Sequence, residues 1–520
     1  MKIYKGSIIA CDAGNNVVKY LVENKGKIIF TGNELPGEYD RASIIDLGNK
    51  ALLPAFVDTH LHYSSFALFA GTLDIRGAKA IHEIKELIAE YYNRRKPAFI
   101  LAFGASAHSV MEKRLLTLAD LDSALAHVPV MVIKYDGHAS IVNSQMMKML
   151  PASVKSLRGF NADSGQLNQE AYFKATDFIT NKVSPLQLMS GMVKGYDLLA
   201  SRGFAAMHTV EGVGFPGDLD VTLACLFARG QRRNFRTRVW FQTLDEQKAL
   251  RRKLPRIGGC FAAALDGCFG SLDAALLKPY SNDGTNRGIL FYDDQTVTDF
   301  FRRSHLAGVQ IAVHAIGDAA FDQACRAYDS VLKEFPRQGH RHTIIHACLP
   351  TAYGLEVCAR HDIHIAAQST FLDWPLEPLE YVESVLGKRA FDILPLKTMV
   401  DMGIKVSLGS DAPCTVPDPI DFLHCACNHY VADQSVDAQT ALKMLTVNAA
   451  WAGFDERETG TLEAGKRADM VIMSENPLMV PVKELRRLRV EALMIDGKKW
   501  KTGQGLPSAI ARGLFSRKKV

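Results

Sequence analysis

The chain has 520 residues, 48% hydrophobic and 22% charged, and its 61 Lys+Arg against 56 Asp+Glu leave a net charge of +5. Such a length and composition fit a soluble globular protein with one large domain plus additions, or several domains, and exclude disordered, collagenous and coiled-coil classes. The small positive surplus gives no basis for nucleic-acid binding; basic clusters such as Arg251-Arg252-Lys253 and Arg486-Arg487 read as solvated faces.

No run reaches the ~18 apolar residues of a membrane span, and the N-terminal MKIYKGSIIACDAGNN lacks the apolar run and cleavage site of a signal peptide. The ten cysteines show no paired spacing beyond Cys425 and Cys427 and lie in apolar contexts such as IIHAC, so reduced thiols in a cytoplasmic protein are expected.

Residues 1–55 read as short strands broken by Gly, Asn and charged turns, and ADMVIMS and VEALMIDGKKW answer them near the other end. Each end alone is too small to bury a face, which predicts one composite β-sandwich from residues 1–55 and 456–505. Between the ends, eight apolar runs alternate with helix-length amphipathic segments: LPAFVDTHLH, FAAMHTV, TRVWFQT, FAAALDG, VQIAVHA, HTIIHAC, IHIAAQS and KVSLGSD. Most turn abruptly polar at the C-terminal end, the pattern of buried parallel strands. Eight strands alternating with helices predict an α/β protein with a (β/α)8 TIM barrel over residues 56–65 and 190–455, its chemistry at the strands' C-terminal ends. An open doubly wound sheet is the alternative, but no Gly-rich phosphate fingerprint follows the first strand. Residues 66–189 are too long for one connection and carry AFILAFGA and PVMVIKYDGHA, so they are expected to form an inserted α/β lid or substrate domain after strand one.

His60 and His62, two apart on a strand, send both imidazoles to one side, the start of a zinc-type site. His314, His346 and Asp411 close three later strands and would converge with them on one ring, while His208 is balanced between pocket wall and structural residue.

LLPAFVDTHLH, VHAIGDAAFD, LGSDAPC and GTLEAGKRADMVIM resemble the hallmark segments of the amidohydrolase superfamily. DLDSALAHVPVMVIKYDGHASIVNS, DGCFGSLDAALLKPYSND and RHTIIHA narrow the resemblance to the branch that includes N-substituted formamide deformylase. The resemblance implies a metal-bearing barrel that hydrolyses an amide-like carbon–nitrogen bond (amide, formamide or cyclic amide). Its metal ligands would fall on His60, His62, His314, His346 and Asp411. Two departures stand out. The branch's fourth strand carries a metal-bridging Lys four residues before Asp-Gly, where this chain has Ala262 ahead of Asp266-Gly267, and its usual Glu-His on strand six is Ile345-His346.

Both departures remove an anion, so about one zinc-like divalent ion per chain is expected, on His60, His62, His314 and Asp411. Asp411 would also act as the base that takes the water's proton, and His346 would stabilise the oxyanion or protonate the leaving nitrogen. His138 and Glu170 of the insert, and Gln368 and Trp374 at strand seven, are the expected substrate contacts. Asp318 is either a supporting residue behind the metal ligands or a helix cap. The alternatives in function are a deaminase of a small heterocycle and a catalytically silent small-molecule binder; the expected partner is a small-molecule substrate, with neither nucleic acid nor membrane, and a homo-oligomer is possible.

Overall fold

The computed structural model of the protein describes residues 1–39, 41–516, 518 and 520. Among them, eight strands form one parallel sheet in sequential order. They are β1 (Phe56–Leu61), β2 (Phe204–Glu211), β3 (Arg236–Phe241), β4 (Arg256–Ala264), β5 (Gln310–Ala315), β6 (Thr343–His346), β7 (His364–Ala367) and β8 (Val406–Leu408). The last strand returns to the first. Thr59 Oγ1 donates to Leu408 O at 2.8 Å, Asp411 N to His60 O at 2.7 Å, and His62 N to Ala412 O at 2.8 Å. The sheet is therefore the expected (β/α)8 TIM barrel.

The strands are apolar on both faces because both are covered: every residue of β5, QIAVHA, is buried. Outside β5 lies the helix Asp318–Glu334, whose Ala320, Phe321, Ala324, Tyr328 and Val331 recur at helical spacing and are buried. Inside the barrel, Val210, Trp240, Cys260, Ala312, Ile345 and Ala366 fill the space below the strand ends.

One strand departs from the sequence expectation. FAAALDG was to be the fourth strand, yet β4 begins at Arg256 and makes its regular ladder through Gly258 and Gly259. Gly258 has φ +95°, and a Cβ there would sit 2.0 Å from Ala312 O, so only glycine lets β4 lie this close to β5. Beyond it the ladder bulges: β4 advances from Gly259 to Ala264 while β5 advances only from Val313 to His314, and Phe261 takes φ +50°. The FAAA run, read as regular strand, is this bulge.

Both chain ends do share a sheet. Its seven strands include Lys2–Ile9, Ser43–Pro54, Met470–Met473 and Val490–Ile495, with Met470 opposite Pro54 and Met473 opposite Ala51. The sheet curls back on itself, its open end approached by the other: Ile28 N donates to Lys466 O and Ala468 N to Gly26 O, both at 2.9 Å. The curl encloses Tyr4, Leu21, Ile28, Leu52, Met470 and Met494.

Between β1 and β2 a separate five-stranded sheet spans Leu73–Asp74, Ile100–Ala105, Val130–Lys134, Ala139–Val142 and Gln166–Asn168, with apolar clusters around it. The tight turn after Val130–Lys134 carries Asp136 and His138 toward the mouth of the barrel. No helix among the described residues is long and apolar enough to cross a membrane.

Candidate metal centre and substrate cavity

The C-terminal ends of β1, β5 and β6 and the turn after β8 bring His60, His62, His314, His346 and Asp411 together on the barrel floor. All five are buried. Asp411 Oδ1 lies 3.1 Å from His60 Nε2 and 3.3 Å from His62 Nε2. Among the described residues, neither ring nitrogen is aligned to give Oδ1 a well-formed hydrogen bond, although both lie within hydrogen-bonding distance. A buried carboxylate oxygen 3.1–3.3 Å from two ring nitrogens that are poorly aligned to hydrogen-bond it is an arrangement a cation would satisfy. Nitrogen and oxygen donors of this kind suit a zinc-like divalent ion.

For two of the four imidazoles, His314 and His346, supporting contacts fix which ring nitrogen is free. His314 Nε2 donates to Gly267 O at 3.0 Å, with Asp266 Oδ1 at 3.4 Å, leaving Nδ1 as the lone pair. Asp266 itself lies past the end of β4 and accepts from Ile316 N, Gly317 N and Ala275 N at 2.8 to 3.0 Å, tying the turn to β5. His346 Nδ1 donates to Gln368 Oε1 at 2.6 Å, leaving Nε2 as the lone pair.

Electrostatics follow from burial and crowding. Burial works to raise the Asp411 carboxyl, but His60, His62 and His346 outweigh it and hold it well below the usual carboxylate range. Burial pushes His60 down against the pull of Asp411, and burial with the neighbouring His314 pushes His346 well down. Burial also opposes a charge on His314, yet Asp266 and the Gly267 carbonyl outweigh it and raise that imidazole. Asp411 and His346 both have positive φ, at +54° and +69°, so the turns presenting them are strained backbone at the centre of the site.

A further residue, which counting along the sequence passed over, stands among them. Cys260 Sγ lies 3.4 Å from His60 Nε2 and 3.7 Å from His346 Nε2. Ala262, the residue at the counted spacing, lines the cavity above. The signal was the Gly258-Gly259 pair: counting forward from the close approach to β5, rather than back from Asp266, leads to Cys260.

Above the floor opens a cavity of about 1290 Å³, large for a small-molecule site and walled mainly by apolar and aromatic side chains such as Phe69, Phe103, Phe173, Phe215, Phe291 and Trp374. Trp374 stacks on Phe371 with centroids 5.0 Å apart, and His138 lies 6.2 Å from the Phe261 ring. Glu170 lies exposed on the cavity wall. One wall also carries a charged cluster that sequence reading missed: Lys134 Nζ is 2.7 Å from Asp136 Oδ2, and Tyr135 OH donates to Glu377 Oε2 at 3.2 Å. Burial, with Asp136 nearby, pushes the Glu377 carboxyl up to about 7.

Three sequence candidates lie off the cavity. Gln368, expected to touch substrate, is fully buried behind His346. His208 packs in the barrel interior with its ring 5.2 Å from Trp240. Asp318 accepts from Leu277 N at 2.7 Å and anchors the loop after β4.

A model described as the amidohydrolase family matches residues 43–169 and 205–499. The chain is 23% identical over 546 aligned positions to N-substituted formamide deformylase of Arthrobacter pascens, covering 96% of this chain and 97% of that one. A shorter stretch is 35% identical over 111 residues to 5-methylthioadenosine/S-adenosylhomocysteine deaminase of Thermodesulfovibrio yellowstonii, covering 20% of this chain and 25% of that protein. Among solved structures, an uncharacterized metal-dependent hydrolase from Pyrococcus furiosus shares the fold with a TM-score of 0.73 at 24% identity, over 92% of this chain and 99% of that one.

Proposed function

Because the chain belongs to the amidohydrolase family, we propose that it is a metal-dependent hydrolase cutting an amide-like carbon–nitrogen bond in a small molecule that carries a bulky apolar group. The observation that carries the reading is Asp411 Oδ1, buried between His60 Nε2 and His62 Nε2 without a well-formed hydrogen bond.

His60, His62, His314, His346 and Asp411 are the residues that would hold zinc-like divalent metal. Such an ion, when bound, polarises a carbonyl and lowers the pKa of water to about 7. The residues do the rest. Asp411, held ionised by the imidazoles around it, accepts the proton of the attacking water and passes it to the leaving nitrogen. The expected role of His346 as proton donor or oxyanion partner fits less well. Its Nδ1 proton is committed to Gln368, and burial disfavours the second proton that Nε2 would need. The geometry favours His346 as a ligand. The aromatic walls take up the apolar part of the substrate and keep bulk water off the floor, with His138, Glu170 and Trp374 as the polar and aromatic contacts above it. The ten cysteines are free thiols, which supports a reducing, cytoplasmic setting.

The deaminase resemblance keeps a second reaction in the same chemistry: attack at an amidine-like ring carbon with loss of ammonia. The test is one assay with two products. Protein stripped by chelator and reloaded with zinc is presented with N-substituted formamides, N-acyl amines, cyclic amides and amino-substituted heterocycles. Zinc-dependent release of an amine and a carboxylate is expected. Release of ammonia alone assigns the deaminase, and full turnover by stripped protein defeats the reading.

A further inference from the structure

Resting on the metal-hydrolase reading above, we propose that Cys260 is the shared anionic ligand of a two-ion centre. Its sulfur would join an ion held by His60 and His62, with Asp411, to an ion held by His314 and His346. The observation is a pair of overlapping triads. His60, His62 and Cys260 present donor atoms within 4.8 Å of one another, and so do Cys260, His314 and His346. Cys260 belongs to both.

The distances suit coordination. Sulfur at about 2.3 Å and imidazole nitrogen at about 2.0–2.1 Å from one tetrahedral zinc lie about 3.5 Å from each other. Cys260 Sγ is 3.4 Å from the His60 nitrogen and 3.7 Å from the His346 nitrogen. A sulfur making two such bonds can span ions about 3.5–4 Å apart, the spacing of two-metal hydrolytic sites.

A buried cysteine ordinarily packs as a small apolar residue, and Cys260 does touch the barrel's interior cluster. Both sulfur–nitrogen contacts are within hydrogen-bonding reach of a thiol, but the one S–H proton can serve only one of the two ring nitrogens, which come from different strands. The backbone around Cys260 is shaped for this placement, through Gly258 and Gly259 at positive φ before it and Phe261 at φ +50° after it. The chemistry also needs an anion there. Two divalent ions a few ångströms apart repel and require negative charge between them, and neither Ala262 nor Ile345 supplies any. Thiolates bind zinc-like ions well. On binding, the S–H bond of Cys260 breaks, its electron pair goes to the ions and its proton to solvent, so the balance needs no oxidant or reductant.

The test uses the full chain, stripped and then titrated with cobalt(II) or zinc(II). Two cobalt ions per chain are expected, with a near-ultraviolet thiolate-to-cobalt absorption. Zinc X-ray absorption should show a sulfur neighbour at about 2.3 Å. Cys260→Ala should lose that absorption and retain one ion. Cys260→Asp should lose it but keep two, which separates a missing bridge from a damaged fold; circular dichroism checks both variants. Two ions in Cys260→Ala, or cobalt absorption unchanged by that substitution, would overturn the bridge. One ion in the wild-type chain, with or without the sulfur signature, overturns it while leaving the hydrolase reading standing. No bound ion at all overturns both.

Discussion

His346 and Gln368 form a fixed pair: Nδ1 of the imidazole donates to Oε1 across 2.6 Å, and the amide is held in turn by its Nε2 donating to Ala366 O at 3.1 Å. This second bond sets which end of the amide faces the ring, and so which ring nitrogen is free. Gln368→Leu keeps the bulk but strands the Nδ1 proton in a buried site. Zinc affinity, measured by competition with a chromogenic chelator, is expected to fall about 10–100-fold. Unchanged affinity would show that the pair contributes packing only.

Asp411→Asn retains the size of the side chain and removes its charge and basicity. Turnover is expected to drop by about 10²–10⁴, the usual cost of losing a general base, with the far-ultraviolet circular dichroism unaltered. A folded variant with wild-type turnover would remove Asp411 from the mechanism.

Glu377 links stability to pH. The folded protein keeps its carboxyl protonated to about pH 7, against 4.5 for an ordinary glutamate. Below pH 4.5 both folded and unfolded chains hold this proton and no pH dependence arises from it. Between about 4.5 and 7 the unfolded chain releases a proton that the folded chain retains, so unfolding becomes easier as pH rises through that window. Denaturant melts at several pH values should show this slope in the wild type and a flatter one in Glu377→Gln. Identical slopes would mean that Glu377 ionises normally in the folded chain.

Ending the chain near residue 456 removes Met470–Met473 and Val490–Ile495 from the seven-stranded sheet. That uncovers the edge of Ser43–Pro54 together with Leu52 and its apolar neighbours. Exposed edges of this kind pair with other chains, so the shortened protein is expected to elute as aggregate in size-exclusion chromatography. A monomeric, active product would show that the N-terminal strands are stable without their partners.

The barrel was legible because its strands are apolar runs that end in a polar residue, and His60, His62, His314, His346 and Asp411 each stand at or just beyond such an end. Strand-end position is written in one dimension, so these five could be read directly. Cys260 could not, because the bulge after Gly259 breaks the proportion between sequence spacing and position along the strand: counting back from Asp266 reaches Ala262, whereas the backbone delivers Cys260. Gln368 was found by its place at the end of β7 but given the wrong neighbour, since nothing local says whether such a side chain turns toward the cavity or toward the imidazole on β6. Glu377 and Lys134 come from segments far apart in sequence, and only the folded insert brings them near each other.

The seam between β1 and β8 also sets an order of events during synthesis. Thr59 meets Leu408 across 349 residues, so a growing polypeptide exposes the His60–His62 pair long before the strand that carries Asp411 toward it has left the ribosome. An ion captured early would have two imidazoles to hold it and would exchange away. An ion held by all five residues would therefore gain its full set of ligands only once the ring of strands has shut.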